Sequence, residues 1–245
     1  MQSSSNKVFI DKKNIYRILL WLGVCLLAIF VLLPTTQYKL GNVFFGSVPA
    51  LYNVNLSQYF FLYAAYPPVG KAPEFAHYQL SRTYFIQGKL QESLEEAYIE
   101  VALYPDNIRT YYILGLTYGY LNQEQEAIKA FSKFIDGNPN SWAARNDKAW
   151  LQFRIGDIKE ALETVEPVAH VYNPWIQNTY GILLLNLQRN EEARRALTLA
   201  HSAVLEMTDS EWGAAYPGND PRTYSTGRQA LIQSIESNLK LLAEE

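Results

Sequence analysis

One cysteine, Cys25, stands in a chain of 245 residues, which excludes an intrachain disulfide and any cysteine-based zinc cluster. Histidine is nearly as scarce. His77, His170 and His201 lie far apart, with no H-E-x-x-H pair, so no metal site is expected. The chain also lacks a Walker loop, a Gly-rich dinucleotide fingerprint and an Asp-rich calcium loop, and with them the usual phosphate, cofactor and calcium sites. No hydrolase-type nucleophile arrangement is visible. Charged residues amount to 18 % against 49 % hydrophobic ones, too apolar a balance for a disordered tail. A formal net charge of −3 gives no sign of the basic face that nucleic-acid binding demands. The chain reads as non-enzymatic, without cofactor, metal or nucleic-acid partner.

What it has instead is aromatic bulk, with 18 Tyr and 11 Phe, and an uneven charge. Lys7, Lys12, Lys13 and Arg17 oppose only Asp11 in the first 17 residues, a balance of +3 that leaves −6 for residues 18–245. Residues 18–38 contain no charge, and Ile18 to Leu33 is apolar throughout except for Gly23. A bilayer core of about 30 Å takes about 20 helical residues at 1.5 Å each. Residues 15–36 meet that requirement, with Tyr16 and Trp21 near one interface and Tyr38 at the other. The positive-inside rule keeps a short basic tail, residues 1–14, in the cytoplasm and sends the bulk of the chain across the membrane. The stretch VLLPTTQYKLG lacks the small residues a signal peptidase reads, and Cys25 sits in mid-run rather than at a lipoprotein site. The segment reads as an uncleaved signal anchor in a single-pass plasma (inner) membrane protein, and Cys25 as a lipid-facing or packing residue.

The rest of the chain repeats itself. Residues 111–118 read Tyr-Tyr-Ile-Leu-Gly-Leu-Thr-Tyr, followed by Ala127, Phe131, Phe134 and Pro139. This set resembles the tetratricopeptide repeat (TPR), a helix-turn-helix unit of about 34 residues. One period back stand Leu80, Ser81, Tyr84, Gly88, Ser93, Ala97 and Pro105; one period on stand Ala149, Gly156 and Ala161. A fourth unit, at Gly181 and Ala193, is offset by 32 residues. The turn segments QGKLQESLEEA, LNQEQEAIKAF, IGDIKEALETV and LQRNEEARRAL align, and three carry Gly or Asn at or near a turn that favours positive φ. Gly115, Ala127, Ala149, Ala161, Gly181 and Ala193 are expected where paired helices cross. In the third unit Lys148 and Gln152 replace the usual Leu and Tyr, and Pro167 is expected to kink or shorten its second helix.

The predicted fold is all-α: one transmembrane helix, about four TPR units over residues 74–205, and a capping helix over 228–245 with Leu231, Ile232, Ile235, Leu239 and Leu242 on one face. Residues 37–73 form an aromatic linker in which 55–66 read as a helix. That helix is either an N-terminal cap for the repeats or a second, short membrane-associated segment. Residues 206–227 form an aromatic loop, with Trp212, Tyr216 and Tyr224 as candidates for a lid over the repeats or for a recognition surface of their own. The acidic sets Glu92, Glu95, Glu96 and Asp157, Glu160, Glu163 lie on second helices and read as solvated outer surface.

The TPR resemblance assigns the concave groove to first-helix positions. In the first unit these are Tyr78, Arg82 and Phe85; in the second, Arg109, Tyr112, Leu116 and Tyr120. The third supplies Asn146, Trp150, Phe153 and Arg154, the fourth Trp175, Asn178 and Ile182. An aromatic trough with arginines has the composition of a protein-binding hot spot. Tyr78 and Tyr112 stand where chaperone-binding TPRs place polar donors for a terminal carboxylate, so that ligand is not carried over. The resemblance implies an extracytoplasmic interaction scaffold that takes a peptide or protein segment in its groove, within a cell-envelope or secretion assembly, and meets the bilayer through residues 15–36. A holdase-like chaperone for clients leaving a translocon is the alternative. An organelle receptor with its repeats in the cytosol is an alternative topology.

Overall fold

The computed structural model describes residues 12–68, 70–215 and 224–244. It divides into two compact units, Met1–Ala76 and His77–Glu245. Among the described residues every regular element is helical.

In the first unit, α1 runs from Lys12 to Leu32, about 31 Å at the helical rise. Ile18, Leu19, Leu20, Trp21 and Leu22 are consecutive and all more than half exposed. Five successive residues point all around a helix, so this part of α1 buries no face among the described residues. The uncharged run in the sequence continues to residue 36 and beyond, but the helix stops earlier. Leu33 is extended (φ −64°, ψ 134°) and Pro34 opens a second helix, α2 (Pro34–Asn42), as a residue without an N–H does well at a first helical position. Among the described residues no helix is long and apolar enough to cross a membrane; the side chains at positions 26, 28, 29 and 31 of α1 lie outside that set.

The polar run after Pro34 thus belongs to a helical hairpin, where the sequence pattern divides it between anchor and linker. Its partner is α3 (Val54–Ala65), capped by Asn53, whose side chain accepts from the Leu56 N–H. Phe61 is fully buried and packs on Gly41, where an added Cβ would lie 2.5 Å from the ring. Tyr38 and Phe45 close around the same ring, at 6.1 and 5.8 Å between centroids.

The second unit begins one residue into α4 (Ala76–Ile86), which is followed by α5 (Leu90–Leu103), α6 (Arg109–Tyr120) and α7 (Glu124–Gly137). Next come α8 (Trp142–Arg154), α9 (Ile158–Val165), α10 (Pro174–Asn186) and α11 (Asn190–Glu206). Two further helices close the chain, α12 (Asp209–Ala215) and α13 (Tyr224–Ala243). Each second helix packs on the next first helix, α5 on α6, α7 on α8 and α9 on α10, and α11 packs on α13.

The four turns within the pairs share one backbone solution. Gly88, Asn122, Gly156 and Gln188 all have positive φ, and the residue after each donates its N–H to a carbonyl five residues back, Lys89 to Tyr84, Gln123 to Tyr118, Asp157 to Gln152 and Arg189 to Leu184, each at 2.9 Å. This is the Schellman closure of a helix end. Gln188 adopts it without glycine's freedom, at a cost of about 1 kcal/mol.

Helices cross where small residues allow it. Ala127, Ala149, Ala161 and Ala193 have no exposed surface. A Cβ on Gly115 would sit 2.8 Å from three carbons of the Phe131 ring, and one on Gly181 would lie 2.7 Å from Leu197 Cγ. Pro167 acts as expected: α9 ends at Val165 and Glu166–Val168 tightens into a 3-10 turn. Gln152, in the usual Tyr position, is buried and accepts from the Thr164 hydroxyl at 2.7 Å.

One outer-surface assignment is corrected. Glu92 and Glu95 are exposed, but Glu96 is buried, with its Oε2 2.7 Å from Nδ1 of His77, a residue that looks isolated in the sequence. Glu100, fully buried, accepts from the Tyr78 N–H and from Asn107. Both carboxylates share the inner stripe of α5 with Ser93 and Ala97, and charges so placed require close donors. The C-terminal cap begins at Tyr224, earlier than expected, and buries Ile232, Ile235 and Leu242.

Candidate functional site

The first helices α4, α6 and α8 line a row of three cavities. The largest, about 390 Å³, opens between α6 and α8 and is walled by Leu116, Tyr120, Asp147, Trp150, Leu151 and Arg154, with Gly115 and Phe131 also on its surface. A second, about 230 Å³, is bordered by Tyr78, Arg109, Tyr112 and Phe134. A small cleft of about 20 Å³ lies among Tyr78, Arg82, Phe85, Tyr112 and Leu116.

These cavities bring together most of the residues assigned to the groove in the first three repeats. Tyr120 and Trp150 are 70 % and 42 % exposed, and Phe85 meets the Tyr120 ring edge-on at 5.2 Å. Phe153, half-buried, stacks on Trp150 at 5.4 Å. The Arg82 guanidinium lies over the Tyr78 ring at 5.6 Å and donates to Gln79. Arg109 is exposed. Arg154 donates to Asn122 and to Glu124, the latter at 3.0 Å.

Other assigned residues lie in the interior rather than on an open groove. Tyr112 is buried against Phe131 and Phe134. Asn146 is buried and accepts from the Thr179 hydroxyl at 2.7 Å, so it ties the third repeat to the fourth. Asn178 is buried as well, with an oxygen that makes no hydrogen bond among the described residues. Ile182 is half-buried.

Trp175 is the centre of a three-indole column. Trp142 stacks on it at 5.7 Å, and Trp212 lies tilted against it at 5.5 Å. Trp212, a lid or recognition candidate in the sequence, is buried, and a Cβ on Gly227 of α13 would collide with its ring. It lies within a helix, α12, where the sequence composition predicts loop. Tyr216 lies outside the described residues, as does the side chain of Tyr224.

Asp147 is the residue that sequence reasoning missed. It accepts from the Tyr112 hydroxyl at 3.0 Å, and loss of solvent raises its pKa from the usual 3.8 to about 7 against the opposing hydrogen bonds of Tyr112 and Asn146. Burial and the neighbouring Asp147 push the Tyr112 phenol well above its ordinary range. The available signal was spacing: Asp147, Trp150 and Arg154 stand at i, i+3 and i+7, one face of a helix.

Comparison with known proteins agrees with this geometry. The family model described as tetratricopeptide repeat matches residues 112–166. The chain is 25 % identical over 161 residues to the transcription factor tau 131 kDa subunit of Saccharomyces cerevisiae, a match covering 58 % of this chain and 16 % of that protein. Two solved structures share the fold at 16 % identity. TTC0263, a thermophilic TPR protein of Thermus thermophilus, superposes with a TM-score of 0.56 over 82 % of this chain and 99 % of its own. YrrB, described as a TPR protein with an unusual peptide-binding site, does so at 0.55 over 70 % and 86 %. The protein has the all-α fold of a TPR solenoid.

Proposed function

We propose that this chain is a membrane-tethered interaction scaffold that holds a peptide or protein segment along the first-helix face of its repeats, on the extracytoplasmic side, within a cell-envelope or secretion assembly. The observation that carries the reading is the row of cavities along α4, α6 and α8, bordered by aromatic rings and arginines. Aromatic and Arg side chains around partly enclosed pockets are the usual anchors of protein recognition. The fold shared with YrrB, whose description names a peptide-binding site, favours the same use.

Because Tyr112 is core, the groove is tested with Arg82, Tyr120 and Trp150 changed together to Ala. Crosslinking from membranes followed by mass spectrometry is expected to lose the partner by about tenfold or more, with an unchanged melting temperature. Full recovery of the partner would place binding elsewhere.

The anchor reading draws on the apolar run Ile18–Leu33, the basic flank before it, and the exposed apolar residues all around α1. Alkaline extraction is expected to leave the full chain with the membrane and to release a form lacking residues 1–33. A cysteine introduced between residues 206 and 227 is expected to react with an impermeant reagent on intact cells. Labelling only after permeabilisation would reverse the orientation.

A further inference from the structure

The largest cavity holds its charges unequally. Arg154 at its edge is neutralised by Glu124 at 3.0 Å. Asp147 in its wall receives hydrogen bonds from Tyr112 and Asn146, both neutral. With Asp147 ionised the space is net acidic, and its exposed border is aromatic, Tyr120 and Trp150, rings of the kind that attract a cation to their faces. A carboxylate accepts about four hydrogen bonds, so Asp147 keeps capacity for a donor arriving through the cavity. About 390 Å³ is ample for one long side chain.

We infer that this cavity receives a lysine or arginine side chain of the bound segment, its cation against Trp150 and Tyr120 and its N–H donors on Asp147; this rests on the groove reading above. An acidic or purely apolar anchor fits less well. The first would meet Asp147 at close range, and the second would offer no counter-charge to compensate the partly buried carboxyl. A cation in the cavity supplies that compensation, and the aromatic faces add a further attraction that strengthens with desolvation. The elevated proton affinity of Asp147 accords with a carboxyl whose counter-charge comes from outside the chain.

The test uses the purified full-length chain and four immobilised pools of acetylated, amidated heptapeptides, degenerate except for a central Lys, Arg, norleucine or Glu. The Lys and Arg pools are expected to retain the protein about fivefold more than norleucine, and Glu least. Asp147→Asn is expected to bring that preference below about twofold. Trp150→Ala, at a site too exposed to endanger folding, is expected to weaken the Lys and Arg pools alone, with the melting curve unchanged. Equal retention by all four pools would overturn the inference and leave the groove reading standing. A preference for Glu would overturn it in favour of Arg154 as the anchor, and a Lys preference that survives Asp147→Asn would overturn the role of Asp147. Binding to no pool would overturn the inference and the groove reading together.

Discussion

Replacing Asp147 with asparagine is expected to stabilise the protein at pH 8 and to leave it unchanged near pH 4. Asparagine is nearly isosteric and keeps an acceptor for the Tyr112 hydroxyl, so packing is preserved. What changes is the ability to ionise. In the unfolded chain the carboxyl titrates at its ordinary 3.8, whereas in the folded one it titrates at about 7. Between those values the native state binds more protons than the unfolded state, so stability falls as pH rises through that window and is level above it. Below pH 3.8 both states are protonated and the carboxyl costs nothing. The expected gain for the variant above pH 7 is on the order of 2–4 kcal/mol. Guanidinium unfolding midpoints of both proteins between pH 4 and 8 measure it. A wild-type chain as stable as the variant at pH 8 would show that the carboxyl is better solvated than its surroundings suggest. Retaining an acid at such a cost fits a site held for binding rather than for stability.

The second large effect lies at the crossing of α6 and α7. Phe131 is 1 % exposed, and Phe131→Ala is expected to cost about 3–5 kcal/mol. Gly115→Leu is expected to cost about 1–3 kcal/mol, because its Cβ alone would stand 2.8 Å from a rigid ring. Combined, the two changes exchange large and small across one contact, so the double variant is expected to recover about 1–3 kcal/mol relative to the sum. Gly119→Ala serves as the control. Its Cβ would meet Leu151 at an ordinary 3.7 Å, and the helix would gain about 0.5–1 kcal/mol from the lost glycine entropy. Strict additivity at 115 and 131 would mean that the two residues are not partners.

The repeat was legible because its cause is local and periodic. Gly88, Asn122 and Gly156 fall one period apart at turns that need a left-handed residue, and Gly115, Ala149 and Gly181 mark close crossings whatever surrounds them. Features set by pairing between distant residues were not legible. Glu96 looks like any surface glutamate until His77, nineteen positions earlier, is placed beside it. Tyr112 and Asn146 hold groove positions in the repeat, yet their polar ends are taken by Asp147 and Thr179 across neighbouring helices. The α2 helix was masked by adjacency, since its polar residues follow Pro34 directly after an apolar run. The α12 helix is short, and its reason for forming is Trp212 seated on Trp175, a contact that no local pattern announces.

The recurrent turn also governs how the chain finds its fold. Each pair closes through an N–H and a carbonyl five residues apart, and the crossing Gly115–Phe131 spans sixteen residues. Contacts of such short range incur little loop-closure entropy, and helical chains dominated by them fold within about microseconds to milliseconds. A hairpin of this kind can close as soon as its second helix has left the ribosome, before the next repeat exists. The protein can thus assemble its repeats in the order in which they are synthesised.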